Sequence, residues 1–443
     1  MKFKVFFTLL ILLLFFSACS SKDESGLTNE LGTRMNTIAE NYVKLVLEIG
    51  QYYPGYVDAF YGPEDWLPKN SNVLALDSTA SADLNEKVDS LLEDLQLLGK
   101  FKATELERLR YRFLSKQLLS IKGFIMMIAG GNFGFDREAE ILYDAKPPHF
   151  DDSHFQNIIN EIDKLLPGDG SVTERWNNFR NEFNIPKEKL DKVFSAAIDE
   201  CRKRTLQHIQ LPSGENFKVE YVRNQPWGAY NWYKGNSYSV IQVNTDLPIY
   251  IDRAIDLASH EGYPGHHVFN TLLENELVKK RGWIEYSVYP LFSPVSLLAE
   301  GTANFGIDMI FPGNSAEKYE KEVLFPLAGL DSSKADLYYR IRTLVNKLDY
   351  SINEAARNYI DGKWNKVKTI EYLQRYKLVT KERAEKNFQF IENYRSYVIN
   401  YNLGKDLVEK YIEKNSNGDN YKKWELFKSL LTTPQTPSGL NVD

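Results

Sequence analysis

Along most of the chain, apolar residues recur at three- and four-residue steps. Leu84, Val88, Leu91, Leu92, Leu95 and Leu98 mark one face of a helix, and Gly99 ends it. Thr104 followed by Glu107 has the form of a capping box ahead of Leu106, Leu109, Phe113 and Leu114, and predicts a helix running to Gly130-Gly131. The same periodicity predicts helices near residues 152–166, 187–209, 316–325, 334–361, 366–377, 380–395, 404–415 and 420–431. One region departs from it. Phe217–Val222 and Ser237–Val243 alternate with period two, and the stretch Trp227–Asn236 between them is rich in aromatics and turn formers. That pattern predicts a small antiparallel sheet. Directly after it, Ile251, Ala254, Ile255 and Ala258 give the apolar face of a helix starting near Ile249. Internal repeats, low-complexity blocks and an inter-domain linker are absent from the sequence. The expectation is a mainly α protein with one helical body over 31–440, divided into a helical part 31–145 and a part 146–440 that carries the candidate chemistry.

The first residues follow a different pattern. Lys2 and Lys4 precede an apolar run from Val5 to Phe16, broken by Thr8, and then come Ser17-Ala18-Cys19. The run is too short for a mature membrane-spanning helix and matches a signal-peptide core over 1–18. Small residues followed at once by cysteine resemble the bacterial lipoprotein signal. That resemblance implies export, lipidation of Cys19 as the first mature residue, attachment to a membrane through the lipid, and a flexible tether over 19–30. Ser20 resembles the outer-membrane-directed class. One other cysteine, Cys201, lies in a helical pattern and is expected to be buried and inert. With Cys19 lipidated, no intramolecular disulfide can form, so the fold rests on its core or on a metal. The chain of 443 residues is 43% hydrophobic and 26% charged, a globular balance; at a net charge of −6 and with no basic stripe it is not a nucleic-acid binder.

Candidate chemistry concentrates in His260-Glu261-Gly262-Tyr263-Pro264-Gly265-His266-His267, which holds three of the chain's six histidines. It opens like the zinc-protease pattern HExxH but carries Pro264 where the second histidine should stand. On a straight helix, His266 would lie about 9 Å along the axis from His260 and on the wrong side, and His267 about 10.5 Å away. Neither could share a zinc ion, whose nitrogen ligands sit at about 2.0–2.1 Å. Pro264 removes a helical hydrogen bond and clashes with the preceding turn, and Gly262 and Gly265 free the backbone on either side. The chain is therefore expected to bulge between Glu261 and His266 and bring either His266 or His267 back to the ion. The other histidine is then free to face a substrate oxyanion. A third ligand is available in Glu300, the charged residue interrupting the apolar stretch Pro294–Phe305, where a buried carboxylate would be costly without a partner. Asn304 and Asp308 share its face, and together with Asp256 they are candidates for orienting the ligands.

These segments resemble the bacterial family called domain of unknown function 885, which carries an HExxPGHH motif and a later glutamate helix. Here the matches are HEGYPGHH, Ala299-Glu300-Gly301-Thr302-Ala303-Asn304-Phe305 and the late stretch Asn393–Lys405. The resemblance implies a zincin-like, gluzincin-type metallopeptidase fold with two histidines and a glutamate on one zinc ion. By position, His260 and one of His266 and His267 become ligands, Glu300 the third, and Glu261 the general base; Tyr397 and Tyr401 match the late segment and stabilise the oxyanion or bind substrate. The chain departs from the family pattern at Thr302, at Ile307 (with Asp308 one later) and in Leu344–Tyr350, which lacks a histidine. The function implied is a zinc-dependent hydrolase acting on peptides. Arg340 or Arg395 are further candidates for the oxyanion, and Trp227, Tyr230, Trp232 and Tyr233 for lining the cleft. The rival readings are a lipid-anchored protein that binds peptides or glycans, and a metal-binding pseudo-peptidase without turnover.

Overall fold

A computed structural model describes residues 20–69, 73–99 and 103–440; the signal segment 1–18 and Cys19 lie outside the described residues. The chain begins with a long helix, α1 (Ser20–Tyr52), which takes in the polar stretch expected to form a tether, and a short strand, β1 (Val57–Phe60). Two neighbouring helices follow, α2 (Ser78–Leu98) and α3 (Glu105–Ile128). The Asp77 side chain caps the first, and a complete Thr104–Glu107 capping box opens the second. On α2 the buried residues are Leu84, Val88, Leu91, Leu95 and Leu98, the stripe expected from the periodicity. Then come α4 (Phe135–Tyr143), α5 (Asp152–Asp163), α6 (Val172–Arg180) and α7 (Leu190–Thr205). Helices α4 and α6 are nine residues long each, too short for their periodicity to stand out in the sequence.

The three-stranded sheet is mixed, not antiparallel. It is built from β2 (Asn216–Val222), β3 (Ala229–Tyr233) and β4 (Tyr238–Asn244) in the order β2-β4-β3. Strands β2 and β4 pair in parallel, with Val219 opposite Ile241, and β3 pairs antiparallel to the far edge of β4, with Asn231 opposite Ile241. Alternation says which residues share a face but not the direction of a partner strand. The aromatic segment, expected to be a turn, is itself the strand that reverses the chain and lets β4 enter the middle parallel to β2.

After the sheet come α8 (Asp252–Leu257) and α9 (His266–Leu273), separated by the motif, and a strand β5 (Val288–Pro290) that pairs antiparallel with β1. The remaining helices are α10 (Pro294–Ile310), α11 (Ser315–Tyr319), α12 (Phe325–Ala328), α13 (Ala335–Asn346), α14 (Ser351–Ile360), α15 (Lys366–Tyr376), α16 (Lys381–Tyr394), α17 (Ile399–Ser416) and α18 (Asn420–Thr432). The single helix expected over 334–361 is two, because residues 347–350 turn between α13 and α14. Buried apolar side chains form one continuous cluster from Leu31 to Leu440. The largely buried helix α10 runs through it and crosses α17 at Gly301 and Gly404. A Cβ on Gly301 would lie 2.4 Å from the Gly404 carbonyl oxygen, so backbones meet there with no room for a side chain. Among the described residues, no helix is long and apolar enough to cross a membrane.

Candidate metal centre

The break in the motif begins earlier than Pro264. Helix α8 passes into a π-helical turn over Ala258–Gly262, in which the Tyr263 N–H reaches back five residues to the Ala258 carbonyl at 3.1 Å. Tyr263 leaves the helix in extended conformation, the Tyr263–Pro264 peptide is cis, and α9 starts at His266. Gly265 passes directly beneath the preceding turn: a Cβ there would lie 1.9 Å from the His260 carbonyl oxygen. The wide turn and this close passage fold the chain back on itself. As a result His260 Nε2 and His266 Nε2, six residues apart, lie 3.1 Å from each other.

Glu300 closes the group from α10. Its Oε2 is 3.2 Å from His260 Nε2 and 3.6 Å from His266 Nε2. Three ligand atoms at about 2.0–2.1 Å from a tetrahedral ion would be about 3.3 Å apart, so the observed triangle has the size zinc requires. Its chemistry fits as well. Glu300 is buried, and its Oε2 has no hydrogen-bond partner. His266 Nε2 is beyond hydrogen-bond distance of that oxygen, and His260 Nε2, though at 3.2 Å, forms no hydrogen bond with it. Lone pairs that converge without forming hydrogen bonds leave a buried oxygen unsatisfied, and a cation satisfies it.

The groups behind the triangle fix its donors. Asn304, one turn along α10 from Glu300, donates from Nδ2 to the Tyr401 carbonyl at 3.0 Å. Its Oδ1 is thereby turned to His260 Nδ1, also at 3.0 Å. An amide oxygen only accepts, so the His260 proton sits on Nδ1 and the Nε2 lone pair points inward. Tyr397 donates its hydroxyl to Glu300 Oε1 at 2.9 Å and leaves Oε2 as the free oxygen. Asn304 and Tyr397 thus support ligands, as their positions suggested for Asn304. Asp308 is instead paired with Lys405 at 2.8 Å, and Asp256 with Arg253 on its own helix.

Electrostatics follow from this crowding. Burial works against a charge on His260, but the carboxylate of Glu300 and the charges of Glu261 and Asp256 outweigh it and push the imidazole up to about 9. Burial also works to raise Glu300, yet the two histidines hold its carboxyl far below the usual carboxylate range. Glu261 moves the other way: burial pushes it up, with His260 and His266 opposing. A carboxyl adjacent to the triangle with a raised proton affinity suits a proton acceptor. Its Oε1 is 4.0 Å from His260 Nε2, outside the ligand set.

The structure also separates residues that the sequence left together. His267 is fully buried and faces away from the triangle: Nδ1 meets Ser239 Oγ at 2.9 Å, and Nε2 meets Glu215 Oε2 at 3.1 Å. It takes no part in the triangle and does not face the cleft, because α9 turns successive residues to different faces and only His266 faces His260 and Glu300. Glu215 also accepts from Tyr263 at 2.8 Å and from Arg202 at 2.5 Å, so one carboxylate ties both ends of the broken segment to the sheet. Arg340 is exposed on α13, and Arg395 is bound to Glu138 at 2.7 Å; neither lines the cleft. Trp227 and Tyr230 line it, whereas Trp232 is held by Gln242 at 3.0 Å and Tyr233 is buried against Glu274. Cys201 is buried and unpaired, its thiol pushed up by burial.

The triangle lies on the wall of a cleft of about 1010 Å³. Tyr401 stands on that wall, 38% exposed, its ring 6.3 Å from that of His260. Among the lining residues that the sequence did not mark are Asp58 of β1 and Asn270, one turn after His266 on α9. Asp58 is 202 residues from His260 in the chain, and no local pattern marks it.

No protein-family model matches this chain, and no curated protein matches it. Among solved structures, it is similar to a candidate lipoprotein from Colwellia psychrerythraea, with a TM-score of 0.51 and 13% identity over 85% of this chain and 69% of that one. A candidate lipoprotein of unknown function from Shewanella oneidensis aligns with a TM-score of 0.43 and 13% identity over 82% of this chain and 72% of that one. At such identity, the first likeness is one of fold alone.

Proposed function

We propose that this protein is a zinc-dependent hydrolase acting on peptides, exported and held at a membrane by a lipid on Cys19. The observation that carries the enzymatic part is the buried, unpartnered Glu300 Oε2 facing two imidazole nitrogens in a triangle of zinc-ligand size. Two nitrogens and one carboxylate oxygen, with an open side towards the cleft, form the donor set of a catalytic zinc site. The HEGYPGHH resemblance implies the same set. Export and lipidation are supported by the order of charged, apolar and small residues before Cys19, and by the description of the Colwellia neighbour as a candidate lipoprotein.

A zinc ion held by His260, His266 and Glu300 would supply Lewis acidity and make water acidic near neutral pH. The chain's own groups do the rest. Glu261 takes a proton from the attacking water and returns it to the leaving nitrogen. Asn304 and Tyr397 keep the ligand atoms aimed inward. Tyr401, on the cleft wall, donates to the oxyanion in this reading. The sheet's edge strand β3 lines the cleft through Ala229–Asn231, and an extended peptide can lie along such an edge.

The test is elemental analysis of the purified protein joined to digestion of a peptide library. About one zinc per chain is expected, with peptide cleavage. Glu261→Gln should keep the zinc and lose turnover by about 10²–10⁴-fold, the usual size of a general-base contribution. A chain that binds no metal, or a Glu261→Gln enzyme as active as the wild type, removes the hydrolase reading.

A further inference from the structure

Asp58 is an acid beside this centre whose role the hydrolytic reading does not use. It projects from β1 into the same cleft as Glu261, His266 and Glu300, close enough for its charge to be felt by all three. It makes no hydrogen bond or ion pair among the described residues. Burial, opposed by His266 and reinforced by Glu300 and Glu261, leaves its carboxyl at about 7. Three other aspartates of the cleft wall have basic partners: Asp252 has Arg342 at 2.8 Å, Asp308 has Lys405 at 2.8 Å and Asp256 has Arg253. Asn270 lines the cleft beside His266, partly buried and also without a hydrogen-bond partner. Its amide can accept as well as donate.

The charges around the ion count to one side. In their ionised forms Asp58, Glu261 and Glu300 carry three negative charges, of which a divalent ion would offset two and neutral imidazoles none. One negative charge is left at the centre, on the side of Asp58. Resting on the hydrolase reading, we infer that Asp58 and Asn270 form a subsite for the free α-ammonium of a peptide's first residue. The ammonium offers three donors and one positive charge to two acceptors beside the ion. A substrate held by that group presents its first peptide bond to Glu261. Water adds to that carbonyl carbon, the C–N bond breaks, and the proton taken by Glu261 goes to the departing nitrogen, so one amino acid and a shortened peptide result. The substrate class is therefore peptides with an unblocked N-terminus.

The experiment uses a mixed tetrapeptide amide library made twice, with free and with acetylated N-termini. Binding is measured on the full-length, zinc-loaded Glu261→Gln protein, so that turnover is not the readout. Free peptides should bind on the order of 100-fold more tightly than their acetylated twins, the size of a lost buried charge pair. Adding Asp58→Asn should shrink that gap to about threefold or less, with zinc content and thermal melting unchanged. Equal binding of both libraries, binding of neither, or a gap that survives Asp58→Asn overturns the subsite. Loss of zinc in Asp58→Asn also overturns it, by making Asp58 a ligand. Wild-type protein that holds zinc and cleaves acetylated peptides as fast as free ones rejects the subsite and leaves the hydrolase standing; protein that holds no zinc rejects both.

Discussion

At the scale of single residues, the site depends on which of two adjacent histidines turns inward. His266 and His267 are chemically alike, and their environments are opposite. His266 faces a second imidazole and a carboxylate at the cleft, while His267 is sealed between Ser239 and Glu215. Substituting each should therefore separate two properties. His266→Ala is expected to abolish stoichiometric zinc binding and leave thermal stability of the metal-free chain nearly unchanged. His267→Ala is expected to retain one zinc per chain and lose about 1–3 kcal/mol of stability, since Glu215 and Ser239 lose a buried partner. Elemental analysis and urea titration of the two variants check this, and the reverse pattern would exchange the assignments. The motif made His260, Glu261 and Glu300 legible in the sequence, because residue type, spacing and an apolar setting are local properties. The choice between the two histidines was not legible. It depends on a π-helical turn and the close passage of Gly265, which no side-chain pattern encodes. Asp58 was illegible for a different reason: it reaches the site through the pairing of β1 with β5, a contact between distant segments.

At the scale of elements, the centre is held by the crossing of α10 and α17. Helix α10 brings Glu300 and Asn304. The turn before α17 brings Tyr397 to Glu300, and the first turn of α17 brings the Tyr401 carbonyl to Asn304. These contacts require the two backbones to approach as closely as the glycine pair permits. A Cβ on Gly404 would lie 2.5 Å from the Leu297 carbonyl oxygen, which is backbone and cannot swing aside. Gly404→Ala should then force the helices apart. A cost of about 1–3 kcal/mol is expected from overpacking, together with zinc affinity weaker by about 10–100-fold as Asn304 and Tyr397 lose their register on the ligands. Chelator competition and denaturant titration measure the two effects, and a variant with unchanged zinc affinity would show that the crossing does not position the ligands. Helical stripes such as that of α2 were legible because burial on one face repeats every turn. The strand directions were not: β2 and β4 alternate identically whether paired parallel or antiparallel, and the connection between them decided the outcome.

At the scale of the whole molecule, buried charges tie the first 145 residues to the rest. Arg110 of α3 forms a two-pronged pair with Glu285 at 2.6 and 2.9 Å, and Glu138 of α4 receives the Arg395 guanidinium and the Ser396 hydroxyl, both at 2.7 Å. A second charged network surrounds the base of α8. There Asp252 is held by Arg342 and Arg180, and Tyr339 donates to Glu320, whose carboxyl has no basic hydrogen-bond partner among the described residues. These two acids give opposite pH dependences. Burial opposes the charge of Asp252, but Arg342 and Arg180 bring its carboxyl down to about 2. Its stabilisation is thus complete above the unfolded value of about 4 and is lost as pH falls towards 2. Burial pushes Glu320 up to about 8, with Arg342 and Tyr339 opposing too weakly to restore it. The folded chain therefore keeps a proton there that the unfolded chain releases near pH 4, so stability falls as pH rises from about 4.5 to 8. His260 and Asp58 titrate in the same range, so the wild-type slope alone does not isolate Glu320. The comparison with Glu320→Gln does, because a glutamine keeps an acceptor for Tyr339 and carries no charge at any pH. Between pH 5 and pH 8.5 the melting temperature of the wild type should fall further than that of the variant, and the variant should be the more stable protein at the alkaline end. Parallel melting curves for the two proteins, both stripped of metal, would place the proton on another group.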